Sequence, residues 1–134
     1  MADITASLAD WPHVWASFYA AMLLVVSLGM FTPAAYSICD QAGYPQRRDQ
    51  PLNIYVYLCA GCQFMLGSSV AILVAAGEWK AVSVIIATST PMGILGTTLS
   101  ATKGGMGFGK EFWSHVLLTT IGTSAGWKLV QENW

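Results

Sequence analysis

The sequence predicts an all-α fold, an integral membrane four-helix bundle. Three observations predict it. Of 134 residues, 54% are hydrophobic and only 10% are charged, whereas an average soluble domain carries roughly a quarter charged residues. The charges are also confined: none lies between Asp10 and Asp40, between Asp49 and Glu78, or between Lys80 and Lys103, and after Glu111 the next is Lys128. The intervals are long enough to span: residues 55–76, YVYLCAGCQFMLGSSVAILVAA, run for 22 residues without a charge, and about 20 apolar residues cross a bilayer core as a helix. Four such stretches take up most of the chain, which reads as one transmembrane domain over residues 1–134.

Residues 1–12 read as a short polar lead-in. It is acidic, with no basic n-region, and so makes a poor secretory signal. Asp10-Trp11-Pro12 pairs a capping residue with an early proline, a helix-start pattern. The first span covers about residues 14–31, with Trp15 at its mouth where an indole favours the headgroup level. Pro33 kinks or ends that helix. The apolar run continues through Ala34, Ala35, Tyr36 and Ile38 beside the membrane. The polar segment DQAGYPQRRDQ, residues 40–50, is the first clear loop, since Gly43, Pro45 and Pro51 oppose helix.

The second span is residues 55–76. Its small residues Ala60, Gly61, Gly67, Ser68, Ser69 and Ala71 allow close helix approach. Gly77-Glu78-Trp79-Lys80 makes a tight turn, which predicts that the second and third spans are antiparallel neighbours. The third span, residues 81–100, holds Pro91 at mid-depth. Proline frees a carbonyl one turn earlier, and Thr88, Ser89 and Thr90 are placed to compensate. The glycine-rich stretch ATKGGMGFGKE follows. Its GGMGFG lacks the preceding strand and βαβ unit that a dinucleotide fingerprint requires, so it reads as an interfacial loop. The fourth span, residues 112–130, has Trp113 and Trp127 near its ends and Lys128 able to snorkel outward.

Arg47, Arg48, Lys103 and Lys110 lie in the first and third loops, against Lys80 and Lys128 on the other side. The positive-inside rule then places the segments around Gly43 and Gly105 in the cytosol and both termini outside. For a eukaryotic source this is a multi-pass protein of the endoplasmic reticulum. The net charge of −1, with no basic patch, argues against nucleic acid as a partner. The bilayer, a hydrophobic small molecule, other membrane enzymes and self-association are the partners such a chain suggests.

Between residues 53 and 127 the chain resembles a small fungal and bacterial family of four-span membrane proteins of unknown function that looks DoxX-like. The features that carry the resemblance are Tyr57-Leu58 through Gly61-Cys62-Gln63 to Gly67, the TPMG from Thr90 to Gly93, and Gly109-Lys110 followed by His115. The resemblance implies a four-span bundle and, through its fungal members, a place in secondary-metabolite biosynthesis. It implies no particular reaction. Members often carry Arg-Asp where this chain has Cys62-Gln63, so the carboxylate that would move a proton there is missing.

The polar groups inside the spans are the candidates for chemistry, since such groups are costly in lipid and face protein or water. Gln63 sits roughly 12 Å past Tyr55 and Pro91 roughly 14 Å before Ser100, at 1.5 Å per residue. His115 is one turn past Glu111. All three enter from one face and can line a single polar cavity with Thr90. His115 is the general acid or base of that reading, because imidazole titrates near neutrality. Glu111, four residues earlier on the same helix face, is placed to hold the ring. Gln63 completes the catalytic set, and Thr90 and Tyr36 are candidate substrate contacts. The alternative for His115 is an interfacial histidine bonded to a loop carbonyl, and for Gln63 a tie between helices. Cys59 and Cys62 form a CxxC, as in quinone-linked thiol oxidases. Those relay electrons through a second cysteine pair, and only Cys39 remains here. Small packing residues are the plainer account of the pair. Two histidines without clustered carboxylates offer no metal site, and no cofactor motif appears. Two functions follow: a membrane cyclase or isomerase acting on a lipophilic intermediate through His115, or a non-catalytic scaffold or binding protein for a lipid-like ligand.

Overall fold

The computed structural model describes residues 10–134. The lead-in expected over residues 1–9 lies outside them. The described chain is helical, with five helices. Helix α1, Trp11–Gly29, has its proline in the first turn as the sequence suggests, but Asp10 makes no side-chain cap. Instead its carbonyl accepts from the amides of His13 and Val14, at 3.0 and 3.2 Å. α1 stops before Pro33, and Thr32 holds the turn: its hydroxyl donates to the Gly29 carbonyl at 2.7 Å and accepts from the Ala34 amide at 3.2 Å. The short helix α2, Ala35–Gln41, then tucks Ala35 and Cys39 against Met30, Val56 and Ala60.

Helix α3, Ile54–Ala75, is capped by Asn53, whose side chain accepts from the Tyr55 amide at 2.9 Å. Gly77, at φ +73°, makes the turn into α4, Trp79–Thr102, which continues through Pro91. The hydroxyls of Thr88 and Ser89 donate to the carbonyls of Val84 and Ile85. They do not reach the carbonyl of Ala87, four residues before the proline, which was their expected acceptor. Helix α5, Lys110–Asn133, closes the fold.

Packing does not follow the connections. α1 lies mainly against α3 and α4 mainly against α5; α1 and α5 touch less, and the turn-linked α3 and α4 least of these four pairs. The two broad interfaces are where the side chains vanish. A Cβ on Gly67 would stand 3.0 Å from Leu23 Cβ and 3.1 Å from the Ala20 carbonyl. One on Gly126 would stand 3.0 Å from the Ala87 amide nitrogen. Backbones at that separation gain dispersion energy along the whole contact. The tight turn joins α3 to α4 but supplies no such seam.

Large apolar residues lie on both sides of the helices. Inside, Leu23, Met30, Val70, Val82, Ile86 and Leu129 pack beside small residues such as Ala16, Ala20, Ser27 and Ser83. Others face out, among them Val25, Leu58, Met65, Ile72, Met92 and Leu117. Among the described residues, α1, α3 and α4 are long and apolar enough to cross a membrane. The fourth expected span, residues 112–130, does form a helix, longer than expected at 24 residues. It is not among those three, because Ser114, His115, Thr119, Thr120, Thr123, Ser124 and Lys128 dilute its apolar content.

Candidate functional site

The connections sort the molecule into two ends. At one, α2 and the segment after it meet the glycine-rich loop. Gly43 has φ +81°, a conformation that favours glycine, and a Cβ there would meet Met106 and Ser100, each at 2.9 Å. A Cβ on Gly104 would overlap the Gly43 carbonyl oxygen. The two loops therefore touch backbone to backbone. At the other end, the C-terminal residue Trp134 donates from Nε1 to Ser83 Oγ at 3.4 Å and carries Lys80 Nζ 5.4 Å from its ring centre. His13 there sets its ring edge-on to Trp79 at 4.2 Å.

His115 stands at the loop end. Its Nε2 lies 3.2 Å from the carbonyl oxygen of Gln41, the last residue of α2, so with a proton on Nε2 the ring donates to it. Glu111 is exposed and makes no ion pair with His115. The expected carboxylate support is replaced by a backbone carbonyl. The other expected site residues are engaged separately. Thr90 accepts from Thr123 Oγ1 at 3.3 Å, and Thr123 is eight residues beyond His115, roughly 12 Å along the helix. Tyr36 donates its hydroxyl to the Gln50 carbonyl at 2.8 Å. Gln63 is half-buried and its Oε1 is enclosed without a hydrogen-bond partner. The structure thus ties His115, Thr90 and Tyr36 to three different partners, and none of them to Gln63.

The plainer account of the CxxC pair expected it packed inside, and it is not. Cys59 and Cys62 are exposed, while Cys39 is fully buried with its Sγ 4.0 Å from Met30 Sδ. Burial pushes the Cys39 thiol up, and the neighbouring Asp40 carboxylate and Cys59 add to it. A thiol held protonated is a poor nucleophile. Burial likewise pushes the Tyr44 phenol up to about 12, with the Cys59 and Cys39 thiols adding to it. Tyr44 is therefore a neutral hydrogen-bond donor at any physiological pH.

Two concavities flank the C-terminal part of α4, and nothing in the sequence pattern marked either. One, of about 160 Å³, is a groove between α4 and α5 lined by Ile94, Thr97, Thr98, Phe112, Val116, Thr119 and Thr120. The hydroxyls of Thr98 and Thr120 are spent on the carbonyls of Ile94 and Val116, both at 2.8 Å. Those of Thr97 and Thr119 make no hydrogen bond among the described residues. The groove is therefore an apolar slot with two free hydroxyls. The other concavity, of about 280 Å³, lies where the loops meet, between Gly43, Tyr44, Leu99, Ser100, Lys103 and Gly104. A helix-periodicity argument finds neither, because each joins residues from elements whose pairing the sequence left open. No family model, no curated protein and no solved structure matches the chain.

Proposed function

We propose that this is a multi-pass integral membrane protein, its four long helices forming one bundle, which binds a lipophilic molecule and does not transform it. Membrane embedding is supported by the many large apolar side chains left on the outside of the helices and by the three helices apolar enough to cross. It also makes sense of α5. That helix tolerates its hydroxyls because most of them bond the carbonyl one turn back, as Ser114, Thr120, Thr123 and Ser124 do. Polar groups satisfied this way cost little in lipid. In a eukaryotic cell the expected location is the endoplasmic reticulum, with other membrane enzymes as neighbours. The resemblance to four-span DoxX-like proteins fits the same architecture.

The observation that carries the binding reading is the partner of His115. No carboxylate pairs with the ring among the described residues, and its one hydrogen bond has the geometry of a tie between helices. Here the ring is joined to the Gln41 carbonyl and ties α5 to α2. The α4–α5 groove offers a lipophile apolar walls and two hydroxyls for one carbonyl or hydroxyl group. Its volume suits a short branched tail or the edge of a ring. The competing reading is a cyclase or isomerase driven by His115.

Substitution at His115 decides between them. A glutamine can donate to the Gln41 carbonyl but cannot titrate near neutrality. Under the binding reading, His115→Gln keeps near-normal membrane abundance and function, and His115→Ala lowers abundance by leaving that carbonyl without its partner, at a cost of about 1 kcal/mol. Equal loss of product in both variants at unchanged abundance would establish the enzyme. A deletion strain adds an independent reading: one accumulating intermediate marks an enzyme, and general loss of several products marks a binder or scaffold.

A further inference from the structure

The open depression between the two loops joins an apolar wall to a single cation. Leu99, the Tyr44 ring and the backbones of Gly43 and Gly104 make its walls mainly apolar. Lys103 is the only charged residue among those lining it. Arg47 and Arg48 of the first loop are spent on Asp49 and Asp40, at 3.0 and 2.9 Å, whereas Lys103 makes no ion pair among the described residues. The hydroxyls of Tyr44 and Ser100 also make no hydrogen bond there. The concavity exists because two glycines face each other: a Cβ on Gly104 would overlap the Gly43 carbonyl, and one on Gly43 would strike Ser100 and Met106.

An apolar pocket with one free cation is matched by an anionic amphiphile. The depression lies at the end of α4, where a membrane-spanning helix reaches the headgroups, and a lysine at that level attracts anionic lipid. At about 280 Å³ it is too small for a whole lipid. It is an open depression and not an enclosed cavity, so it can seat one side of a headgroup and glycerol region while the acyl chains continue along the exposed apolar faces of the helices.

We propose that this depression is a binding site for an anionic phospholipid of the surrounding bilayer, with Lys103 pairing its phosphate and the wall of Leu99 and Tyr44 taking its glycerol region. The site rests on the membrane reading and is separate from the α4–α5 groove.

The test uses the full chain purified in mild detergent and offered phosphatidylglycerol or phosphatidylcholine, with lipid adducts counted by native mass spectrometry. Phosphatidylglycerol is retained about fivefold better, the ratio one lysine near a membrane surface supplies. Lys103→Gln abolishes the preference. Ser100→Trp, which fills the depression without changing charge, abolishes it too, and Lys110→Gln, which removes an equal charge at the start of α5 outside the depression, leaves it intact. Equal effects of Lys103→Gln and Lys110→Gln, or full preference in Ser100→Trp, would mean general surface attraction and overturn the site. Displacement of the lipid by inorganic phosphate alone would reduce it to a simple anion site and overturn the proposal as well. Carbonate extraction of membranes separates this from failure of the larger reading: a chain released to the supernatant sinks the embedding, whereas an embedded chain without lipid preference sinks only the site.

Discussion

Tyr44 and the cysteines show how burial, more than residue type, sets the chemistry of this chain. Tyr44 lies in the loop after α2, and burial raises its phenol to about 12 from an ordinary value of about 10. In the unfolded chain the phenol loses its proton near pH 10, while in the folded chain it keeps it. The folded state therefore binds more protons between those values, and stability falls as pH rises through that window. Thermal unfolding followed from pH 9 upward shows the decline, and Tyr44→Phe makes it shallower; an identical slope in that variant would place the titration elsewhere. Among the cysteines the sequence offered no way to rank Cys39 below or above the CxxC pair, since all three border apolar residues. The structure ranks them: Cys59 and Cys62 face outward and Cys39 is sealed. Replacing Cys59 and Cys62 together with Ala leaves abundance and function unchanged. Total loss of function at normal abundance would revive a redox role. Cys39 is the thiol whose loss is felt in packing: truncation to Ala leaves Met30 Sδ without its 4.0 Å neighbour and lowers stability by about 1 kcal/mol.

At the scale of the elements, charge spacing located each long helix to within a few residues, because a charged side chain is expensive inside an apolar run and turns collect where charges do. The same spacing could not say which helices pack. Gly61 and Gly67 look alike in sequence, two glycines in one small-residue stretch of α3. A Cβ on Gly67 meets Leu23, Leu24 and the Ala20 carbonyl within 3.2 Å, whereas one on Gly61 meets nothing within 4 Å. The distinction depends on how α3 is rotated against α1, which a helix with little amphipathic contrast does not encode. Gly67→Leu therefore forces the α1–α3 seam apart and costs about 1–3 kcal/mol. Gly61→Leu, which puts a larger apolar group on the outer face, is near neutral. Denaturation in mixed detergent reads both, and matching losses would show that α3 is rotated otherwise. The candidate site was half legible for a related reason. His115 could be singled out as the one imidazole on the last long helix, but its Gln41 partner belongs to a helix of seven residues that the sequence showed only as an apolar run after Pro33.

The whole molecule is organised by its two ends. Gly43 touches Gly104 and Met106, and Gln41 holds His115, so the first and third connections lie together. Trp134 reaches Ser83 and Lys80, and His13 reaches Trp79, so the start of α1 and the end of α5 lie with the second connection. Under the membrane reading proposed above, this arrangement requires an even number of traverses, four when α5 spans with the rest. The charge asymmetry points the same way: Arg47, Arg48, Lys103 and Lys110 share the end where Gly43 meets Gly104, the end that the positive-inside rule would turn to the cytosol. Impermeant thiol labelling tests the arrangement, after Cys59 and Cys62 are removed because both are exposed. The glycines themselves are poor positions for a label, since Gly43 and Gly105 hold φ +81° and +86°. Arg47→Cys and Phe108→Cys, both at exposed residues of the same two loops, are better. In sealed cytosol-side-in vesicles these two stay protected until the membrane is opened, and a cysteine added beyond Trp134 or before Asp10 labels at once. Protection of Arg47→Cys with free labelling of Phe108→Cys would separate two loops that the structure joins, and would show that α5 does not traverse beside α4. Reversed labelling of all four positions would keep the bundle and overturn only its orientation.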